Sequence, residues 1–128
     1  MATQITNGVK ISVETFFQKE YSNAGTRDYM FAYRITIENN NFHPVRLLNR
    51  HWYIFDSSQD LHEVEGDGVV GKQPIIEPGE SHKYVSGCNL KSEIGKMWGT
   101  YTMQNQEDGS YFKVEIPKFQ LIAPSKLN

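Results

Sequence analysis

The sequence predicts an all-β protein folded as an antiparallel β-sandwich of about seven strands. Three observations carry this prediction. Apolar and polar residues alternate with period two along most of the chain, turn-forming residues interrupt that alternation at close intervals, and no apolar stripe of helical period lasts long enough to stand as a helix. The 128 residues suit one domain, residues 1–128, with flexible ends at 1–8 and 125–128. Cys88 is the only cysteine, so the disulfide of an immunoglobulin domain is absent and a fibronectin type III-like version is the expected subtype.

From Val9 to Glu20, Val9, Ile11 and Val13 alternate with Lys10, Ser12 and Glu14, giving a first strand with one buried face. Asn23 to Thr26 breaks the chain. Arg27 to Asn39 then sets Tyr29, Phe31, Tyr33, Ile35 and Ile37 on one face of the clearest strand. Asn39 to Pro44 reads as a loop, because asparagine tolerates left-handed backbone and Pro44 biases His43 towards an extended form. Val45 to Phe55 is a third strand with two partly apolar faces: Leu48, Trp52 and Ile54 join Arg46 and Arg50 on one, and Leu47, Asn49, His51, Tyr53 and Phe55 form the other. Asp56 to Asp60 turns the chain into a short strand, Leu61 to Glu65.

Beyond the stretch Glu65 to Glu80, Ser81 to Cys88 resumes as a strand, and Asn89 to Gly95 is a loop or a brief 3₁₀ turn. Met97 to Gln104 and Tyr111 to Ile116 form a pair of strands joined through Asp108-Gly109, a favoured hairpin dipeptide. Pro117 interrupts that ladder, and an extended tail runs on through Phe119, Leu121 and Ile122.

Seven Tyr, seven Phe and two Trp favour strands over helices. A formal net charge of −2 supplies no basic footprint for nucleic acid or an anionic membrane. The chain shows no leader pattern and no apolar run of membrane-spanning length, and its lone thiol fits a reducing compartment. A cytoplasmic protein without membrane insertion or nucleic-acid partner is therefore expected.

The most unusual stretch is EGDGVVGKQPIIEPGE, from Glu65 to Glu80. Gly66, Gly68 and Gly71 form GxGxxG, the pattern of a dinucleotide phosphate cradle, but such a cradle needs a helix behind it and Pro74 and Pro78 forbid one. Three readings remain. The glycines can provide positive φ, a bulge or close strand approach. Successive backbone N–H groups can form an anion nest, with Lys72 adding a charge beside it. The loop can also present Val69, Val70, Ile75 and Ile76 to a partner. Glu77-Pro78-Gly79-Glu80 signals a β-turn with Pro at its second position and Gly at its third.

Metal donors are present as His43, His51, His62 and His82, with Glu63, Glu65, Asp67 and Cys88 nearby, but no ligand-spacing motif joins them and no metal site is expected. On a strand His62 and Glu63 point to opposite faces. No nucleophile elbow or acid–base constellation is readable, so no catalytic residue is assigned; Cys88 reads as a small apolar residue and Trp52 as a core anchor.

Four stretches in order, Phe31 to Ile37, Val45 to Trp52, Glu65 to Pro74 and Ile116 to Phe119, resemble the bacterial ApaG family, and the likeness runs from about Val9 to Pro124. The resemblance implies a small cytoplasmic protein with a fibronectin type III-like sandwich, sometimes dimeric, and a link to cobalt and magnesium efflux without being the transporter. In eukaryotes a related domain ends certain F-box and polymerase-interacting proteins as an interaction module. The glycine signature carries onto Gly66, Gly68 and Gly71. The expected function is a non-enzymatic binding module for a protein partner, a second copy of the chain included, with no cofactor. The alternative is a pyrophosphate or nucleotide-phosphate binder using Gly66, Gly68, Gly71 and Lys72.

Overall fold

Strict alternation from Tyr29 to Asn39 produces the strand that organises the first sheet: Phe31, Tyr33, Ile35, Ile37 and Asn39 are buried along one side of it. The computed structural model describes residues 1–58 and 60–124. Its first sheet runs in the order β1 (Ala2–Thr6), β2 (Val9–Phe17), β3 (Tyr29–Asn39) and β7 (Ser81–Leu90). The second runs β5 (Asp60–Asp67), β4 (Val45–Asp56), β8 (Ile94–Asn105) and β9 (Tyr111–Ile122), with the two-residue β6 (Ile75–Ile76) pairing the start of β4. Every ladder is antiparallel. The two sheets share one core, and this all-β sandwich agrees with the fibronectin type III-like class.

Two strands, β1 and the two-residue β6, lie beyond the expected set. Ala2–Thr6, expected as a flexible end, pairs in register with β2 through a tight turn at Asn7 and Gly8, whose φ values are +50° and +77°. Asn-Gly is the dipeptide best suited to a two-residue hairpin because both central residues need positive φ. The expectation for 125–128 lies outside the described residues. Pro117 does not end its ladder either: β9 continues through it, absorbing Pro117 in a register shift opposite Met97 and Gly99.

A second register shift explains the two-faced third strand. Between Leu47 and Asn49, β4 carries one residue more than β8, so Val45 and Leu47 face the core before the bulge while Trp52 and Asp56 face it afterwards. Leu48 is the extra residue. After it, Asn49, His51 and Tyr53 lie on the outer face. Trp52 meets Tyr33 and Phe119 in a buried aromatic trio with ring centroids 5.5 to 5.9 Å apart.

The two sides of the sandwich differ. On one, β1 lies against β9, where the Glu115 N–H donates to Thr6 Oγ1 at 3.3 Å and Asn7 Nδ2 donates to the Lys113 carbonyl at 2.9 Å. On the other, β5 and β7 are the terminal strands of their sheets and no ladder joins them. Buried polar groups stabilise the ends of the core. Asn39 Nδ2 donates to the carbonyls of His43 and Ile76, both at 2.9 Å, and its Oδ1 accepts from the Asn41 N–H at 3.0 Å. At the far end of β4, Asp56 accepts from the Lys91 N–H at 2.6 Å, the Ser58 N–H at 3.2 Å and the Ser92 hydroxyl.

Candidate functional site

The glycine-rich stretch is tied to β4 at its bulge. The Leu48 carbonyl accepts from the Gly68 N–H and from Gln73 Nε2, both at 2.8 Å, while the Leu47 N–H donates to the Pro74 carbonyl at 3.0 Å. Between these anchors the chain reverses through Val69-Val70-Gly71-Lys72. The Val69 N–H donates to the Lys72 carbonyl at 2.8 Å and the Lys72 N–H returns to the Val69 carbonyl at 3.0 Å. Val70 and Gly71 have φ of +48° and +75°, repeating the geometry of the Asn7-Gly8 turn with a β-branched residue in the asparagine's place.

Each glycine of the motif has its own physical reason. A Cβ on Gly66 would stand 2.8 Å from Arg50 Nη1, because the Arg50 side chain lies directly over Gly66. Its Nη1 donates to the carbonyls of Asp67 and Gly68, both at 3.0 Å. Gly68 has φ +62°, and a Cβ there would come within 2.1 Å of the Lys72 carbonyl oxygen. Gly71 needs only its left-handed backbone, for nothing lies within 4 Å of its would-be Cβ.

No helix follows the motif. Gly79, φ +79°, completes the expected turn after Pro78, and the Glu80 N–H donates to the Glu77 carbonyl at 3.0 Å. Of the four apolar side chains proposed for display, Val69 and Ile76 are buried and Val70 and Ile75 are exposed. Lys72 is exposed, and its charge adds to burial in lowering the pKa of His82 on β7; burial is the larger cause.

A second set of side chains converges on the outer face of the second sheet. His51 on β4 lies opposite Glu65 on β5, and Glu63 lies opposite Tyr53 one step along. His51 Nε2 is 3.1 Å from Glu63 Oε2 and its Nδ1 is 3.3 Å from Glu65 Oε1. The imidazole stacks on Tyr53 at 4.6 Å and Tyr53 stacks on Trp98 at 5.8 Å. Lys118 Nζ caps the row, 4.7 Å from the Trp98 ring centre. Beside His51 opens a cleft of about 350 Å³ lined by Asn49, Glu65, Asp67, Thr102 and Lys113 among others.

Cys88 is buried, and burial, with a smaller contribution from the Asp56 charge, pushes its thiol up to about 11. No helix among the described residues is long and apolar enough to cross a membrane.

Fold and turn together define a two-sheet β-sandwich domain whose glycine-rich hairpin clasps an arginine and braces a bulged interior strand. The ApaG domain family model matches residues 19–105, and the chain belongs to that family. Protein ApaG of Brucella abortus (strain S19) is 42% identical over 126 residues, 98% of this chain and 96% of the relative. Protein ApaG of Dechloromonas aromatica (strain RCB) is 46% identical over 125 residues, 96% of this chain and 98% of the relative. Among solved structures, an ApaA protein from Bordetella pertussis matches with a TM-score of 0.87 at 40% identity, covering 91% of this chain and 94% of that one. A protein from Archaeoglobus fulgidus, 8% identical with a TM-score of 0.51 over 88% of this chain and 95% of that one, shares the fold alone.

The structure joins residues that local spacing kept apart. His51, Glu63 and Glu65 match no short ligand motif because their proximity arises across a strand pair; placing the β4–β5 turn at Asp56 to Asp60 and counting outward would have put them together. The packing of Arg50 over Gly66 was hidden for the same reason. His43, His62 and His82 are not part of the convergent donor group.

Proposed function

We infer that this protein is a non-enzymatic binding module, one domain over its length, that takes a protein partner along the open side of its sandwich. The observation that carries this reading is the asymmetry of the two sides: hydrogen bonds through the Thr6 and Asn7 side chains tie the β1–β2 hairpin to β9 on one, while β5 and β7, of eight and ten residues, end their sheets on the other with no ladder between them. An unpaired strand edge offers a row of N–H and C=O groups to an incoming strand, and alternate side chains set its specificity. A second copy of the chain can use the same edge and form a homodimer. A cytoplasmic setting suits the buried thiol, and any part in cobalt or magnesium efflux would run through such a partner.

Hydrogen exchange of the full chain with its captured or crosslinked partner tests this. Slowed exchange in Asp60–Asp67 or Ser81–Leu90 on complex formation supports strand addition, and protection confined to β1 or β9 refutes it. The phosphate-binding reading of Gly66, Gly68, Gly71 and Lys72 would need donors beyond the Gly68, Val69 and Lys72 amides, which already bond within the protein. Titration with pyrophosphate, followed by amide chemical shifts, tests it: shifts confined to 66–72 would favour it over the edge.

A further inference from the structure

We propose that His51, Glu63 and Glu65 bind a divalent transition-metal ion of the zinc type on the outer face of the second sheet. One donor atom from each residue can be chosen so that all three lie within 4.8 Å of one another. Zinc holds imidazole nitrogen and carboxylate oxygen at about 2.0–2.2 Å, which in tetrahedral geometry separates neighbouring ligand atoms by roughly 3.4 Å. The contacts of 3.1 Å at Nε2 and 3.3 Å at Nδ1 lie on different ring nitrogens, so an ion takes one nitrogen with its neighbouring carboxylate near this spacing while the other glutamate side chain turns to the same side of the ring.

The donor and acceptor inventory of the group favours a cation. A neutral imidazole has one N–H and one lone pair, and an ionised carboxylate only accepts. With a carboxylate beside each ring nitrogen, a neutral His51 turns its lone pair towards one of them. A metal ion on the unprotonated nitrogen relieves that contact. In the metal-bound form both carboxylates turn to the ion and the remaining ring N–H donates to water, a hydrogen bond of the kind that fixes the tautomer of a ligating histidine.

Two features outside the donor cluster make this a site rather than a chance grouping of surface charges. Stacking against Tyr53, itself stacked on Trp98, holds the imidazole plane, so little side-chain freedom is lost on binding. The cleft of about 350 Å³ beside His51 leaves the remaining coordination positions open to water or to a donor from another molecule. Its two lining side-chain cations are both engaged: Lys113 Nζ donates to Thr102 Oγ1 at 2.7 Å, and Arg50 Nη1 donates to the carbonyls of Asp67 and Gly68, both at 3.0 Å. The nitrogen donor selects zinc-like ions over magnesium, which demands octahedral oxygen.

The test is calorimetric titration of zinc into chelator-treated full-length protein at neutral pH, with backbone and histidine ring NMR as a second readout. Saturable binding of one ion is expected, with the largest shifts at His51, Glu63 and Glu65. The isosteric pair Glu63→Gln/Glu65→Gln and the single His51→Ala should each weaken binding by about tenfold or more, since even a supporting residue beyond the ligands is commonly worth that much. His62→Ala should leave binding unchanged. Affinity should fall as pH is lowered, because protons compete for the same donors. Equal zinc affinity in the Glu63→Gln/Glu65→Gln protein with its fold intact by NMR, no saturable binding by the parent, or displacement of zinc by equimolar magnesium would each overturn the assignment.

Discussion

Alanine substitution of Gly66, Gly68 and Gly71 separates an architectural glycine motif from a ligand cradle, because the structure assigns each position a different cost. Gly71→Ala meets no atom within 4 Å, so only its φ of +75° matters; a left-handed alanine costs about 1 kcal/mol. Gly68→Ala adds to a similar strain a Cβ 2.1 Å from the Lys72 carbonyl oxygen. Because that atom is backbone, the turn must open and lose the Val69–Lys72 pair, for a total of about 3 kcal/mol. Gly66→Ala has no positive φ to strain it. It displaces the Arg50 guanidinium from the Asp67 and Gly68 carbonyls, costing about 1–2 kcal/mol.

Urea unfolding reads these costs as shifts in midpoint at constant slope. The decisive comparison is Gly66→Ala made in an Arg50→Ala background, where the clash and both hydrogen bonds are already gone and the cost should shrink to a few tenths of a kcal/mol. A Gly66→Ala cost that persists undiminished in that background, or a Gly68→Ala protein no less stable than Gly71→Ala, would refute the reasoning.

Three further outcomes are expected. Val70→Asn gives the second tight turn the same Asn-Gly dipeptide as the first and should raise stability by about 1 kcal/mol, seen as a higher urea midpoint. Asn39→Ala strands the carbonyls of His43 and Ile76 and the Asn41 N–H, so a loss of about 3 kcal/mol is expected in the same assay. Asp56 is opposed by burial, yet its hydrogen bonds from Ser92, Lys91 and Ser58 win and hold its carboxyl below the ordinary value. A group depressed on folding stabilises above its unfolded pKa and loses that contribution as pH falls through its folded one. Thermal midpoints should therefore drop below about pH 4, and Asp56→Asn, less stable at neutral pH, should show a shallower acid limb.

Period-two patterning made most of the strands legible: β2, β3, β7 and β8 appear where alternation puts them, because one face of each packs on a shared core. Three features escaped for separate physical reasons. Residues 2–6 bury little, so β1 carries a weak alternation signal, although Asn7-Gly8 marks its hairpin directly. The bulge at Leu48 shifts which parity faces inward, and sequence alone showed that only as two partly apolar faces on one strand. Pro117 falls at a register shift, where a ladder tolerates a missing donor. At the candidate site, Pro74 and Pro78 correctly predicted a glycine stretch without a following helix. The Arg50–Gly66 packing and the convergence of His51, Glu63 and Glu65 depend on pairing between strands, which sets contacts across the sheet that a linear motif does not record.

Leu48 also works as a frame setter for everything that follows it in β4. Deleting that one residue would leave two antiparallel strands still able to pair, but would rotate the remainder of β4 by half a pleat, sending Trp52 to the surface and His51 and Tyr53 into the core. The outer face would lose its ring stack and its convergent donors, and the core would lose the Trp52 corner of its aromatic trio. The glycine-rich hairpin, through the two hydrogen bonds it donates to the Leu48 carbonyl, guards that frame. Its sequence thereby governs the surface of a strand pair more than ten ångströms long from a single point near one end.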